Sequence, residues 1–220
     1  MLARCAVEAA LLALAWAAAL AVRPWRLLRA GGAATPLATP TLACLVTVSW
    51  LWSWPALAAM PVPLHWSAAP LVLLLLGWPL TVGCLSVAGL VATLANGLGW
   101  ADGLSLTVWS GLLPATLALG LGHAVRKACG PHPLGYLFGR AFFAPLLVIA
   151  ACGCAACAWP HRGGGANADL HYVTALLLAV GEASWTCALA TLLVACRPQW
   201  LATWSDALYL PRPAASRPGR

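Results

Sequence analysis

The sequence predicts an all-α, polytopic integral membrane protein of about seven transmembrane helices. Three observations support this prediction: the chain is 62% hydrophobic and only 8% charged, its apolar residues form long runs, and its Lys and Arg residues concentrate in alternate connecting segments. The apolar runs lack the polar face that a helix on the surface of a soluble domain needs. A helix that crosses a hydrocarbon core of ~30 Å needs about 20 mostly apolar residues.

Seven apolar runs follow one another along the chain. The arginine cluster after the first run favours a retained first helix over a cleaved signal peptide. The third and fourth runs form one uncharged stretch that is broken at Gly77-Trp78-Pro79, which predicts a tight turn between two short or tilted helices. Six spans is the alternative. The predicted spans are 3–22, 40–58, 65–79, 80–98, 104–125, 137–158 and 171–195.

The distribution of basic residues predicts the orientation. With the N-terminus outside and the C-terminus cytoplasmic, ten of the twelve Lys and Arg residues fall in inner segments, and Arg4 and Arg162 fall in outer ones. This bias follows the positive-inside rule, and it arises only if the stretch 65–98 crosses twice. On this interpretation, the basic residues behind the net charge of +7 anchor the protein at the lipids of the inner leaflet, and the charge does not indicate a nucleic-acid partner. The inner set is Arg23, Arg26, Arg29, Arg126, Lys127, Arg140, Arg197, Arg212, Arg217 and Arg220.

The chain is predicted to form one domain. Residues 1–210 make up the transmembrane domain, and the Pro/Arg-rich residues 211–220 are predicted to be a disordered, basic cytoplasmic tail. Cys154 and Cys157 have C-x-x-C spacing, but their Ala/Gly-rich surroundings favour close helix packing over a metal or redox pair.

Ionisable residues inside or beside the spans are candidates for function. Glu182 lies near the middle of the last span, either as a carboxyl hydrogen-bonded to a neighbouring helix or as an acceptor on the path of a cation. His65 opens the third run and His171 the last one, both on the outer side. An interfacial His is often only solvated, but imidazole suits Ni, Co, Zn and Cu. Asp102 is expected to cap the fifth span from the same side.

Motifs that would indicate an enzyme do not occur in the sequence. It contains no nucleophile–base pair, Walker A loop or H-E-x-x-H motif. An embedded chain with few charges and an outer group of possible ligands indicates a non-enzymatic transporter component, and any ATP-driven role would need separate subunits.

Several strings along residues 62–210 resemble one transporter family. His65-Trp-Ser-Ala-Ala, Gly77-Trp78-Pro79 and Ala101-Asp102-Gly103 are similar in order and spacing to the "HLxGA…LLGPW…GDGG" stretch of the CbiM/NikM-type family. The remaining strings resemble the "LLP…HNxFVYIFxxAFF" and "EAxxTG…YRPEWVATFDDxxYL" parts of a proteobacterial branch. They are 111–114, 131–143, 181–186, 197–204 and 209–210.

The resemblance implies the substrate-capturing permease of an energy-coupling factor ABC transporter for cobalt or nickel, in a bacterial cytoplasmic (inner) membrane. It implies seven helices, a transmembrane coupling subunit and cytoplasmic ATPase subunits. It also implies an outer Co²⁺ or Ni²⁺ held by the Met1 amine, a His at position 2, and His65. The inner residues Arg126 and Lys127 are our candidates for contact with the coupling subunit or the ATPases.

The chain departs from the family pattern at the expected metal site. Leu2 stands where the family has His, and Trp109-Ser110-Gly111 stands near the family's "GAN". Ser110 can supply a weaker polar contact, and Trp109 makes the pocket bulkier. Three explanations stay open: the true start lies upstream, the metal is held differently, or this branch carries another substrate. A further alternative is a non-transporting accessory protein with a degenerate metal site.

Overall fold

The computed structural model describes residues 2–24, 37–54, 66–158 and 168–210. Every regular element in these residues is helical, which confirms the all-α prediction. A 3₁₀ turn over Pro198–Trp200 and the short helix α8, Asp206–Tyr209, follow the long helices. The helices before them are α1 Leu2–Ala21, α2 Ala38–Trp52, α3 Ala69–Leu76, α4 Trp78–Ala95, α5 Trp100–Cys129, α6 Gly135–Ala158 and α7 Ala168–Cys196.

Five of these helices, α1, α4, α5, α6 and α7, are long and apolar enough to cross a membrane. Helix α2 is apolar but has 15 residues. Helix α3 has only eight, which corresponds to ~12 Å at 1.5 Å per residue. The chain therefore has the helices of a multi-pass membrane protein, with a helix in each predicted run, while two of them are shorter than a full span.

The break between α3 and α4 lies where the sequence predicts it. Gly77 has φ +74°, a conformation that glycine adopts without the steric cost of a side chain. Its N–H donates to the Leu73 carbonyl at 2.9 Å, and Pro79 follows in the first turn of α4, where proline fits best. The predicted tight turn between a short helix and the next one is thus observed.

Small residues bring neighbouring helices close together. Gly89 of α4 faces Thr107 of α5, and Gly103 of α5 faces Thr93 of α4, so closely in both cases that a Cβ atom on the glycine would collide with the threonine. Close approach at small residues is a general way for helices to pack inside a membrane.

Two helices contain π-helical stretches, Thr107–Leu112 in α5 and Gly135–Phe143 in α6. Such stretches shift the side chains that follow to a different face of the helix, and they are frequent at functional sites. The stretch in α5 carries Trp109 and Ser110, and the stretch in α6 carries Tyr136.

The segment after α7 folds back onto the end of α3. The amides of Ala202 and Thr203 donate to the carbonyls of Leu75 and Leu74, at 3.0 and 3.3 Å. The last carbonyls of a helix have no partner within the helix, and these bonds satisfy two of them, with Thr203 Oγ1 also donating to the Leu74 carbonyl at 3.0 Å. Tyr136 of α6 adds a hydroxyl contact to Thr203 Oγ1 at 2.8 Å.

Candidate membrane-embedded binding cavity

A cavity of about 190 Å³ lies among α5, α6, α7 and the residues that precede α3. Much of its wall is aliphatic, with residues such as Ile149 and Leu178. The polar, aromatic and sulfur-bearing side chains in the wall are Ser67, Trp109, Ser110, Cys152, Cys157, His171 and Thr174.

The chain direction places this cavity at one end of the helix bundle. Trp109 and Ser110 lie in the first half of α5, Cys157 lies in the last turn of α6, and His171 lies in the first turn of α7. The cavity end is therefore the end at which α6 finishes and α7 begins. Because these residues come from three elements, only the folded chain brings them together.

Two residues predicted from the sequence, Ser110 and His171, line the cavity together. His65 and Met1, the predicted metal ligands, lie outside the described residues. The residues that follow His65 contact the rest of the bundle. The Trp66 carbonyl accepts a hydrogen bond from Trp52 Nε1 at 2.8 Å, and Ser67 lines the cavity.

Asp102 lies near the same end of the bundle but does not line the cavity. It is exposed in the first turn of α5, and the N-cap position belongs to Gly99 instead. The expectation that Asp102 caps this helix was therefore wrong, because α5 begins earlier than predicted, at Trp100. A carboxylate in the first turn still interacts favourably with the helix dipole.

Glu182 is buried, with 1% of its surface exposed, and it binds the backbone that leads into α3. Its two carboxylate oxygens accept hydrogen bonds from the amides of Ser67 and Ala68, the latter at 3.0 Å. Glu182 of α7 therefore fixes the two residues that lead into α3, and the first amide of the helix itself, that of Ala69, donates to Ser67 Oγ at 3.2 Å. This geometry matches the first of the two sequence-based alternatives, a carboxyl bonded to a neighbouring helix.

A second buried carboxylate, Glu8 of α1, was missed in the sequence. It is 3% exposed, and its Oε1 accepts hydrogen bonds from Arg4 Nε at 3.1 Å and from Trp109 Nε1 at 3.0 Å. Arg4 also donates to Ser105 Oγ of α5. The spacing of Arg4 and Glu8, four residues apart on one helix, was the available signal, because such a pair shares a helix face.

The cavity offers imidazole nitrogen, thiol sulfur and hydroxyl oxygen to a bound molecule. None of the described lining residues is an Asp or a Glu. Within residues 2–24, 37–54, 66–158 and 168–210, there is no group of three or more His, Cys, Asp or Glu side chains placed to hold a metal ion.

Arg126 and Lys127, the predicted partner-contact residues, lie at the opposite end of the bundle. Both are exposed in the last turn of α5. Arg140 of α6 packs nearby against Gly122, and its guanidinium lies 5.9 Å from the centre of the Tyr136 ring. The exposed cations and the cavity thus occupy different ends of the same helices.

Comparisons of the chain with protein-family models, with curated proteins and with solved structures gave no match.

Proposed function

We propose that the protein is the substrate-capturing membrane subunit of an energy-coupling factor ABC transporter, which imports a transition-metal cation, cobalt or nickel. The observation that supports this proposal best is the cavity between long apolar helices, whose wall includes Ser110, His171 and, just after His65 in the chain, Ser67. A concave site with a few convergent polar groups is the usual form of a small-ligand site.

The choice of a transition metal rests on ligand chemistry and on the family resemblance. Imidazole binds Co²⁺ and Ni²⁺ well, and His171 supplies one in the cavity wall. We propose that His65 and the Met1 amine complete the coordination, with Ser110 and Asp102 near the path of the ion. Glu182 contributes by fixing the backbone of Ser67 and Ala68, which follow His65 in the chain.

The proposed topology has seven spans in a bacterial cytoplasmic membrane, with the N-terminus outside and the cavity open to the outer side. Arg126 and Lys127 then face the cytoplasm, exposed and available to a transmembrane coupling subunit and to ATPase subunits. The distance between these cations and the cavity separates metal capture from energy coupling.

The test is the metal content and affinity of the purified protein, with its N-terminus sequenced, beside His65→Ala and His171→Ala variants. We expect one Co²⁺ or Ni²⁺ for each chain, and a loss of affinity of about tenfold or more in each variant, because an outer-shell partner alone changes metal affinity by about 10–100-fold. The matched control is His123→Ala, since His123 is exposed on α5 and is not in the described cavity lining. Absence of metal from the wild-type protein, or equal losses in all three variants, would reject the metal assignment.

A second candidate substrate is a small uncharged organic molecule. It is favoured by the described cavity wall, which has aliphatic and aromatic side chains and no carboxylate to balance a divalent charge. Burying an unbalanced ion in such surroundings is costly. Wild-type protein without metal, but with a co-purifying small molecule found by mass spectrometry, would support this candidate.

A further inference from the structure

Glu8 is a polar group that the fold buries at a cost. It lies in a helix whose residues 4–21 are apolar enough to span a membrane, and ionisable groups in such positions are expensive unless they are paired. Its Oε1 has two partners, whereas Oε2 is buried without a hydrogen-bond partner among the described residues. A carboxyl buried in a span with one oxygen unpaired among the described residues is a candidate for function.

The partners of Glu8 connect α1 to the wall of the cavity. Arg4 bonds Ser105 and Glu8 bonds Trp109, and these two residues lie one turn apart on α5. Trp109 belongs to the π-helical stretch Thr107–Leu112, and it also lines the cavity. Glu8 of α1 therefore binds the indole N–H of Trp109, while the Trp109 side chain forms part of the cavity wall.

A tryptophan side chain has two rotatable bonds, so its position in a cavity wall depends on what holds it. A hydrogen bond to a carboxylate is stronger than one between neutral groups, and it fixes the donor's direction as well. Loss of this bond removes one of the contacts that set the direction of the indole, and a shift of the ring changes the volume available to a substrate.

We propose that Glu8 is a positioning residue, which fixes Trp109 as a wall of the cavity and thereby limits the size of the molecule that the cavity admits. The inference deepens the proposed function, since it rests on the cavity being the binding site, but it does not depend on the substrate being a metal.

The test uses Cys157, which lines the cavity, as a reporter. The full-length protein in detergent is treated with methanethiosulfonate reagents that carry a methyl or a benzyl group, and Cys157 modification is followed by mass spectrometry against a Cys157→Ser protein. We expect Glu8→Leu and Trp109→Phe to speed benzyl labelling by about tenfold, the factor that corresponds to losing a hydrogen bond to a charged group. Methyl labelling should change much less, because the small reagent already fits.

Glu8→Gln keeps an acceptor for the indole, so its labelling rates should stay close to wild type. The double variant Glu8→Leu with Trp109→Phe should behave like Trp109→Phe alone, because each change removes the same hydrogen bond between Glu8 and the indole. The matched control is Trp16→Phe: Trp16 is also on α1, and its indole donates to Ser86 of α4 at 3.0 Å, but it does not belong to the described cavity lining.

Three results would each overturn the inference: additive effects in the double variant, equal acceleration by Trp16→Phe, or equal acceleration of both reagents. If Glu8→Leu does not fold, as judged by size exclusion, Glu8→Ala replaces it in the single and the double variant, because it leaves the indole equally without its acceptor. Labelling uses no substrate, so a protein without metal can still confirm the role of Glu8, and a metal-binding protein can still refute it.

Discussion

At the scale of single residues, Glu182 makes a structural prediction that can be measured. Glu182→Ala leaves one buried and one partly buried backbone amide without acceptors. Each such group costs about 1–3 kcal/mol, so we expect a loss of about 3 kcal/mol in the free energy of unfolding. Glu182→Gln keeps one acceptor oxygen and should lose about half as much. The measurement is denaturant-induced unfolding in detergent.

The control for this prediction lies on the same helix. Asp169 is exposed in the first turn of α7, and Asp169→Ala should change the free energy of unfolding by less than about 0.5 kcal/mol. Similar losses for Glu182→Ala and Asp169→Ala would show that Glu182 does not hold the start of α3.

Single residues of interest could be recognised from the sequence only where their chemistry is unusual for their surroundings. Glu182 stands out as a carboxyl in an apolar run, and the structure adds which amides it binds. The cavity could not be predicted from the sequence, because its wall combines α5, α6, α7 and the residues before α3. An apolar pattern does not reveal which side chains of different helices come together. Glu8 was overlooked since it follows Arg4 closely, near the start of a run that reads as an ordinary span.

At the scale of helices, Gly103 provides a test of how α4 and α5 pack. A Cβ at this position would collide with Thr93, and overpacking of this kind costs about 1–3 kcal/mol. Gly103→Ala should therefore lower the free energy of unfolding by about that amount, measured in the same detergent assay. Gly120, on the same helix, has nothing within 4 Å of such a Cβ, so Gly120→Ala should raise stability by about 0.5–1 kcal/mol. Equal effects of both changes would contradict this packing.

Hydropathy predicted the positions of the helices better than it predicted their lengths. Each apolar run contains a helix, and glycine with proline marks the break at Gly77. The length of α3 depends on long-range contacts instead: Glu182 binds the residues before it, and Ala202 and Thr203 bind its last carbonyls. The π-helical stretches likewise have no signal in the apolar pattern.

At the scale of the whole molecule, the exposed cations and the cavity divide the bundle into two ends. Arg126, Lys127 and Arg197 are exposed at one end, and His171 and Asp102 lie at the other. A membrane in which basic segments stay in the cytoplasm would orient the chain with its cavity outward. This orientation is the basis of the proposed import of a substrate.

Two natural cysteines allow the orientation of the chain in the membrane to be tested without introducing new cysteines. Cys129 ends α5, Cys196 ends α7, and both are exposed at the cationic end. We expect a membrane-impermeant maleimide to modify them in inside-out vesicles and not in intact cells, with Cys129→Ser and Cys196→Ser removing the signal. Detergent should expose them in both preparations. Labelling from outside the cell would place Arg126 and Lys127 out of reach of cytoplasmic ATPases, because the cavity would then open inward, and the proposed direction of transport would fail with it.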